Sequence, residues 1–154
     1  MMAMDIAAWL ILRIVFAWMF LYPLTVLLSD WEAAKGNVGM IFPRYHNELA
    51  ILMVIVMIAG ALSILLGILP HIGGLMLLVY CLIGALVHYR FADTITNLQL
   101  SSQAGSEDSA ILDKARTIGA VGHITSAQKN FVLAAVACWF LLMGSGPWTL
   151  ISLW

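Results

Sequence analysis

From Leu49 to Leu69 the chain carries no charged side chain, and Ser63 is its only polar one. A run of this kind matches the roughly 20 apolar residues that a helix needs to cross a bilayer core about 30 Å thick. Three further runs resemble it. Ile6 to Leu28 is interrupted chiefly by Arg13, Pro23 and Thr25. Ile72 to Tyr89 lies between Pro70-His71 and Arg90. The shortest starts near Lys129, runs through Phe131 to Gly144 and stops at Gly146-Pro147. Continuous runs rich in Leu, Ile and Met argue for helices, because an isolated strand cannot satisfy its backbone in lipid. A transmembrane barrel would need many alternating segments of about ten residues.

Composition supports this. The 154 residues are 63% hydrophobic and 10% charged, with a mean hydropathy of +1.00. A soluble domain carries about 25% charged residues. These proportions exclude a cytosolic enzyme, a nucleic-acid binder and a disordered chain. The net charge of −1 comes with no basic block, so no nucleic-acid partner is implied. Two cysteines, Cys81 and Cys138, are too few for a disulfide scaffold or a zinc site.

The expected fold is all-α, an integral membrane four-helix bundle forming one domain over 1–154. Its spans are about 6–28, 49–69, 72–90 and 129–146, and a polar loop covers 91–128. The first run is too long for the apolar core of a signal peptide and is preceded by Asp5, so it reads as a retained helix. The very short connection at Pro70-His71 predicts a tight hairpin between the second and third helices. Both long loops then share one side of the membrane. In the second of them, Ser106-Glu107-Asp108 reads as a helix start leading into Ala110 to Thr117. Lys35, Arg44, Arg90, Lys114, Arg116 and Lys129 lie on the loop side, which places it in the cytoplasm by the positive-inside rule, although Arg13 pulls the other way. Trp9, Trp31, Trp148 and Trp154 fall near span ends, where indole rings anchor. Small residues mark packing faces: Gly60, Ser63 and Gly67; Gly74, Cys81, Gly84 and His88; Ala134, Ala135 and Cys138.

Ionisable residues within spans are costly, and each is a functional hypothesis. Arg13 sits about two turns into the first helix, with His71 on the same side. Two readings stand open for it: snorkelling to the interface, or pointing inward to an anionic group or a quinone carbonyl. At the other side His88 and Arg90 end the third helix, while Arg44, His46 and Glu48 lead into the second, with Tyr89 and Asp93 near. This cluster is either interfacial capping and ion pairing or a headgroup site for a quinone or small anion. Arg13, His71, His88, Arg90 and Arg44 are the candidate contacts. His71 and His88 are about 25 Å apart along one helix, so they cannot share a metal. With His46 and His123 placed outside the spans, no bis-histidine haem site is expected.

Three stretches carry a resemblance. Leu10-Ile11-Leu12-Arg13-Ile14 with Phe20-Leu21-Tyr22 is similar to an opening LLR segment. Glu48-Leu49 followed by Gly60-Ala61-Leu62-Ser63-Ile64-Leu65-Leu66-Gly67-Ile68-Leu69, and then Pro70-His71 and Leu86-Val87-His88, is similar to an EL…GG…LLLGL run and a third helix ending in histidine. Lys129-Asn130-Phe131 through Gly144-Ser145-Gly146-Pro147-Trp148-Thr149-Leu150 is similar to a closing KN…LGPG.WSL segment. The chain thus resembles the DoxX family of four-span membrane proteins, related to the membrane subunit of thiosulfate:quinone oxidoreductase. Two departures stand out: Tyr22-Pro23 replaces the usual HG pair, and the 91–128 segment matches no family pattern.

The resemblance implies a subunit of a quinone-linked redox or energy-converting complex in a prokaryotic inner or cytoplasmic membrane. It would be accessory or quinone-contacting rather than catalytic alone. No intrinsic cofactor is expected, and a bound quinone would carry any electrons. Membrane lipid and other membrane subunits are the expected partners. Two alternatives stay open: a structural or assembly subunit binding lipid or pigment, and a stand-alone sulfur-compound:quinone oxidoreductase.

Overall fold

Pro23 divides the first apolar run. Proline lacks an amide hydrogen and its ring crowds the carbonyl four residues back. Helix α1 (Ala3–Leu21) therefore stops and a short α2 (Leu24–Ser29) restarts beyond it. The computed structural model describes residues 3–99 and 105–151. Within them follow α3 (Trp31–Gly39), α4 (His46–Leu66), α5 (Pro70–Thr96) and α6 (Ser106–Met143). Among the described residues, four segments are long and apolar enough to cross a membrane: Asp5–Ser29, which takes in most of α1 and all of α2, and then α4, α5 and α6. The chain is all-helical, with the proportions of a multi-pass membrane protein. Trp154, one of the expected anchors, lies outside the described residues.

The segment 91–128, expected as a polar loop, is largely helix where it is described. α5 continues to Thr96 and α6 begins at Ser106. The start at Ser106 follows local chemistry. The Gly105 N–H donates to Asp108 Oδ2 (3.2 Å), and Glu107 and Asp108 place negative charge at the helix N-terminus. From there to Met143 no proline interrupts the helix. At 1.5 Å per residue α6 is about 57 Å long, far more than a bilayer core requires. α5 meets it from Gly119 onward: a Cβ on Gly119 would sit 3.2 Å from Ile95, and Ala92, Ala120 and Ala127 are buried.

The register of α5 against α6 is antiparallel and continuous. His71 meets Leu141, Gly74 meets Ala137 and Leu141, Gly84 meets Asn130, His88 meets His123, and Ile95 meets Gly119. Gly74 is where the backbones come closest. A Cβ there would stand 2.5 Å from the Leu141 nitrogen and 2.8 Å from the Ala137 oxygen. Without a hydrophobic drive between helices in lipid, such close approach is how dispersion and packing hold a bundle together. α4 packs on α5 through Gly60, whose Cβ would stand 2.8 Å from Leu77. α1 closes the bundle by setting Phe16 on Phe140 of α6, with ring centroids 5.3 Å apart. Cys81, Leu77, Ile64, Met57 and Phe140 are fully enclosed between these helices. Of the expected small-residue faces, Gly60, Gly74, Cys81 and Ala134 are buried, whereas Ala135 is exposed. Outward-facing Ile14, Val15, Trp18, Ile55, Leu75 and Val132 form the apolar exterior.

Before α4, the chain lays α3 across the loop side. Asp30 caps it, accepting from the Ala33 N–H (3.1 Å). Ala34 and Val38 are its buried face.

Candidate functional site

The two ends of the bundle hold different chemistry. At one end Arg13 is buried and aims at the C-terminus of α4. Its Nε donates to the Ile64 carbonyl (2.9 Å) and its Nη2 to the Leu65 carbonyl (2.6 Å). Nη1 makes longer contacts with the carbonyls of Trp148 (3.3 Å) and Ser145 (3.5 Å). Helix termini leave carbonyls without intrahelical partners, and lipid offers none, so a buried guanidinium is a sufficient cap. The chain around it is tied down in the same way. The Gly67 carbonyl accepts from the N–H groups of Leu150 (2.7 Å) and Ile151 (3.1 Å), while the Leu69 N–H donates to Ile151 (2.7 Å). The Ser63 hydroxyl donates to the Ile68 (2.6 Å) and Leu69 (3.0 Å) carbonyls. Gly67 adopts φ +68 here, and a Cβ would collide with the Trp148 oxygen and Arg13 Nη2. His71, also buried, caps α6 by donating from Nδ1 to the Leu141 carbonyl (2.8 Å).

The other end is open. A cavity of about 590 Å³ lies among α1, α3, α4, α5 and α6, within the size range of small-molecule sites. Phe20, Met57 and Tyr80 line it, and Val38 and Phe42 bound it on the α3 side. His88, His123, Lys129 and Asn130 supply polar groups from α5 and α6, and Asn37 supplies one from α3. Along α5, His88 is about 27 Å from Pro70, so this polar group stands at the opposite end of the bundle from Arg13. His88 Nδ1 and His123 Nδ1 are 3.0 Å apart, and Phe91 stacks on the His123 ring at 4.9 Å and 10°. Asn130 is 91% buried, leaving 9% exposed. Its side chain makes no hydrogen bond among the described residues, and it borders the cavity. Gly84 leaves room for it: a Cβ there would stand 3.1 Å from Asn130 Nδ2.

Of the five candidate contacts, only His88 lines this cavity. Arg13 and His71 are spent on helix ends. Arg90 is exposed on α5. Arg44 is exposed and lies over the Tyr45 ring at 5.6 Å. His46 donates to the Pro43 carbonyl (3.0 Å), and Glu48 in the first turn of α4 makes no ion pair among the described residues. The loop-side cluster is thus dispersed, except at His88.

His123, Lys129 and Asn130 were the residues missed as a group. Placing His123 in a loop hid it, and the absence of proline from Ser106 to Met143 was the signal that would have put it on a helix. That helix also sets two histidines at matched depth on facing helices, contrary to the sequence expectation. Their Nδ1 atoms, 3.0 Å apart, face each other directly, so these two nitrogens do not hold an iron between them. No group of three or more His, Cys, Asp or Glu side chains able to hold a metal occurs among the described residues. Searches against protein-family models, curated proteins and solved structures return no match.

Proposed function

We propose that this chain is a DoxX-like integral membrane subunit that holds a quinone-class lipophile. In this reading it serves a redox or energy-converting complex as an accessory, quinone-contacting component of a prokaryotic inner or cytoplasmic membrane. α4 and α5 turn back on each other as a tight hairpin, and the α3 side faces the cytoplasm. The observation that carries the reading is the apolar cavity with its polar end. A quinone presents an apolar ring and tail and two carbonyl acceptors. The donors at His88, His123, Lys129 and Asn130 fit the carbonyls, and the Phe20, Met57 and Tyr80 region fits the tail. Asn130 supports it further, because its amide borders the cavity and makes no hydrogen bond among the described residues, which leaves it able to meet a ligand carbonyl.

The test is thermal unfolding of the purified protein in mild detergent, with and without a decyl-substituted benzoquinone, alongside mass spectrometry of co-extracted lipophiles. A ligand at 100 times its Kd stabilises by about 2.7 kcal/mol. Asn130→Leu is expected to remove most of that shift. No shift and no co-purified lipophile would leave the structural or assembly reading in its place.

A further inference from the structure

The His88–His123 contact has a stoichiometry built into it. With Nδ1 facing Nδ1 at 3.0 Å, the gap holds one proton: one ring donates and the other accepts. In the neutral pair the accepting ring carries its own proton on Nε2. The donating ring carries its proton on Nδ1, so its Nε2 is bare. That bare nitrogen can take one further proton without disturbing the contact. A second added proton would have to occupy the accepting Nδ1, and the contact would break. The pair is therefore a one-proton store.

Its surroundings decide when the store fills. Lys129 on α6 lines the same cavity, as does Tyr80 on α5. The walls contributed by α1, α3 and α4 are apolar apart from Asn37, and among the described residues no carboxylate lines the cavity. Arg90 and Asp93, further along α5, are exposed. A cationic histidine pair beside Lys129 puts like charges together at the mouth of an apolar space, which is unfavourable unless an anion lies with them. An anion bound there is in turn favoured by the added proton. Such coupling is reciprocal by thermodynamic necessity.

We propose that the cavity binds lipophiles whose head is an ionised oxygen acid, and that the His88–His123 pair takes up one proton as they bind. The proposal rests on the cavity reading above and adds the head group's charge. The proton comes from water. It forms an N–H bond at the bare Nε2, and the complex of pair and anion is neutral overall.

The experiment uses two probes on one scaffold: an alkylated 2-hydroxy-1,4-naphthoquinone, whose hydroxyl ionises, and its 2-methoxy ether, which has no acid. Each is titrated calorimetrically into the detergent-solubilised protein, against micelles alone, in phosphate and in Tris. The hydroxyl probe is expected to bind with uptake of about one proton, its affinity falling about tenfold per pH unit where it is ionised and the pair neutral. The ether is expected to bind with no uptake. Replacing both rings, His88→Gln with His123→Gln, should abolish the buffer dependence of the hydroxyl probe. Binding of the hydroxyl probe with no proton uptake, or of the ether alone, overturns the proposal and leaves the cavity reading standing. If neither probe binds, the cavity reading falls and this one with it.

Discussion

Arg13→Met separates a structural arginine from a ligand-binding one. Methionine keeps the apolar stem and removes every donor. The two short bonds, to the Ile64 and Leu65 carbonyls at 2.9 and 2.6 Å, each involve a charged donor, worth about 1.5–3 kcal/mol. The two longer contacts add little. The gross loss is thus about 3–6 kcal/mol. Part of it returns because a buried charge no longer has to be desolvated. A net loss of about 3 kcal/mol follows, read as reversible unfolding in mixed micelles. Arg13→Lys keeps the charge but not the fork that reaches several carbonyls at once, so about half the loss is expected. The damage should also spread to the C-terminal segment, with faster hydrogen exchange at the Leu150 and Ile151 amides that now bond to Gly67. If Arg13→Met lies within about 0.5 kcal/mol of the parent, the ordinary scatter of surface substitutions, the capping argument is refuted. Loss of quinone binding at unchanged stability would return Arg13 to the role of an inward ligand contact.

Two further outcomes follow from the packing. Gly74→Val should separate α5 from α6 and cost at least about 3 kcal/mol in the same assay, because backbone atoms of α6 cannot move aside as a side-chain tip can; a stable, cavity-bearing Gly74→Val protein would contradict the close approach. Cys81 is fully buried and Cys138 half-buried, so a membrane-permeant maleimide should label Cys138 first and Cys81 only after unfolding; mass spectrometry of the adducts decides.

How much of this could be read beforehand depended on what lipid enforces. Four runs such as Leu49–Leu69 have no alternative to helix in a bilayer, so four long apolar helices were legible from the sequence pattern. The break at Pro23 was visible as a proline, though its result, a separate α2, needed the structure. α6 was hidden for the opposite reason. Its first half, with Glu107, Asp108, Asp113, Lys114 and Arg116, has the polarity of a loop. It is helical from the capped start at Gly105 and Asp108, with no proline to stop it before Gly119 meets Ile95 of α5. The site went the same way. Arg13 stood out because a charge in a span is conspicuous, yet its donors meet carbonyls of the α4 terminus and of the tail, contacts that span 51 to 135 residues of sequence. His123 looked ordinary because nothing local marks a histidine that will face another 35 residues away.

The contrast between the two ends is itself an argument about function. In an apolar surrounding a polar group without a partner is expensive, and the Arg13 end shows how completely this chain can meet that demand. Four carbonyls there take hydrogen bonds from one guanidinium, and Ser63, Gly67 and Ile151 complete the network. The same chain leaves the Asn130 amide without a protein partner beside a cavity of about 590 Å³. A merely structural bundle would gain by replacing Asn130 with leucine, which extends apolar packing into the cavity wall. Asn130→Leu should therefore raise the stability of the ligand-free protein, by about 1 kcal/mol, while abolishing binding of the quinone probe. That stability–function trade-off is the mark of a binding site. A variant that loses stability without ligand would mean the amide already has its partner, and that the polar end exists to hold the helices together.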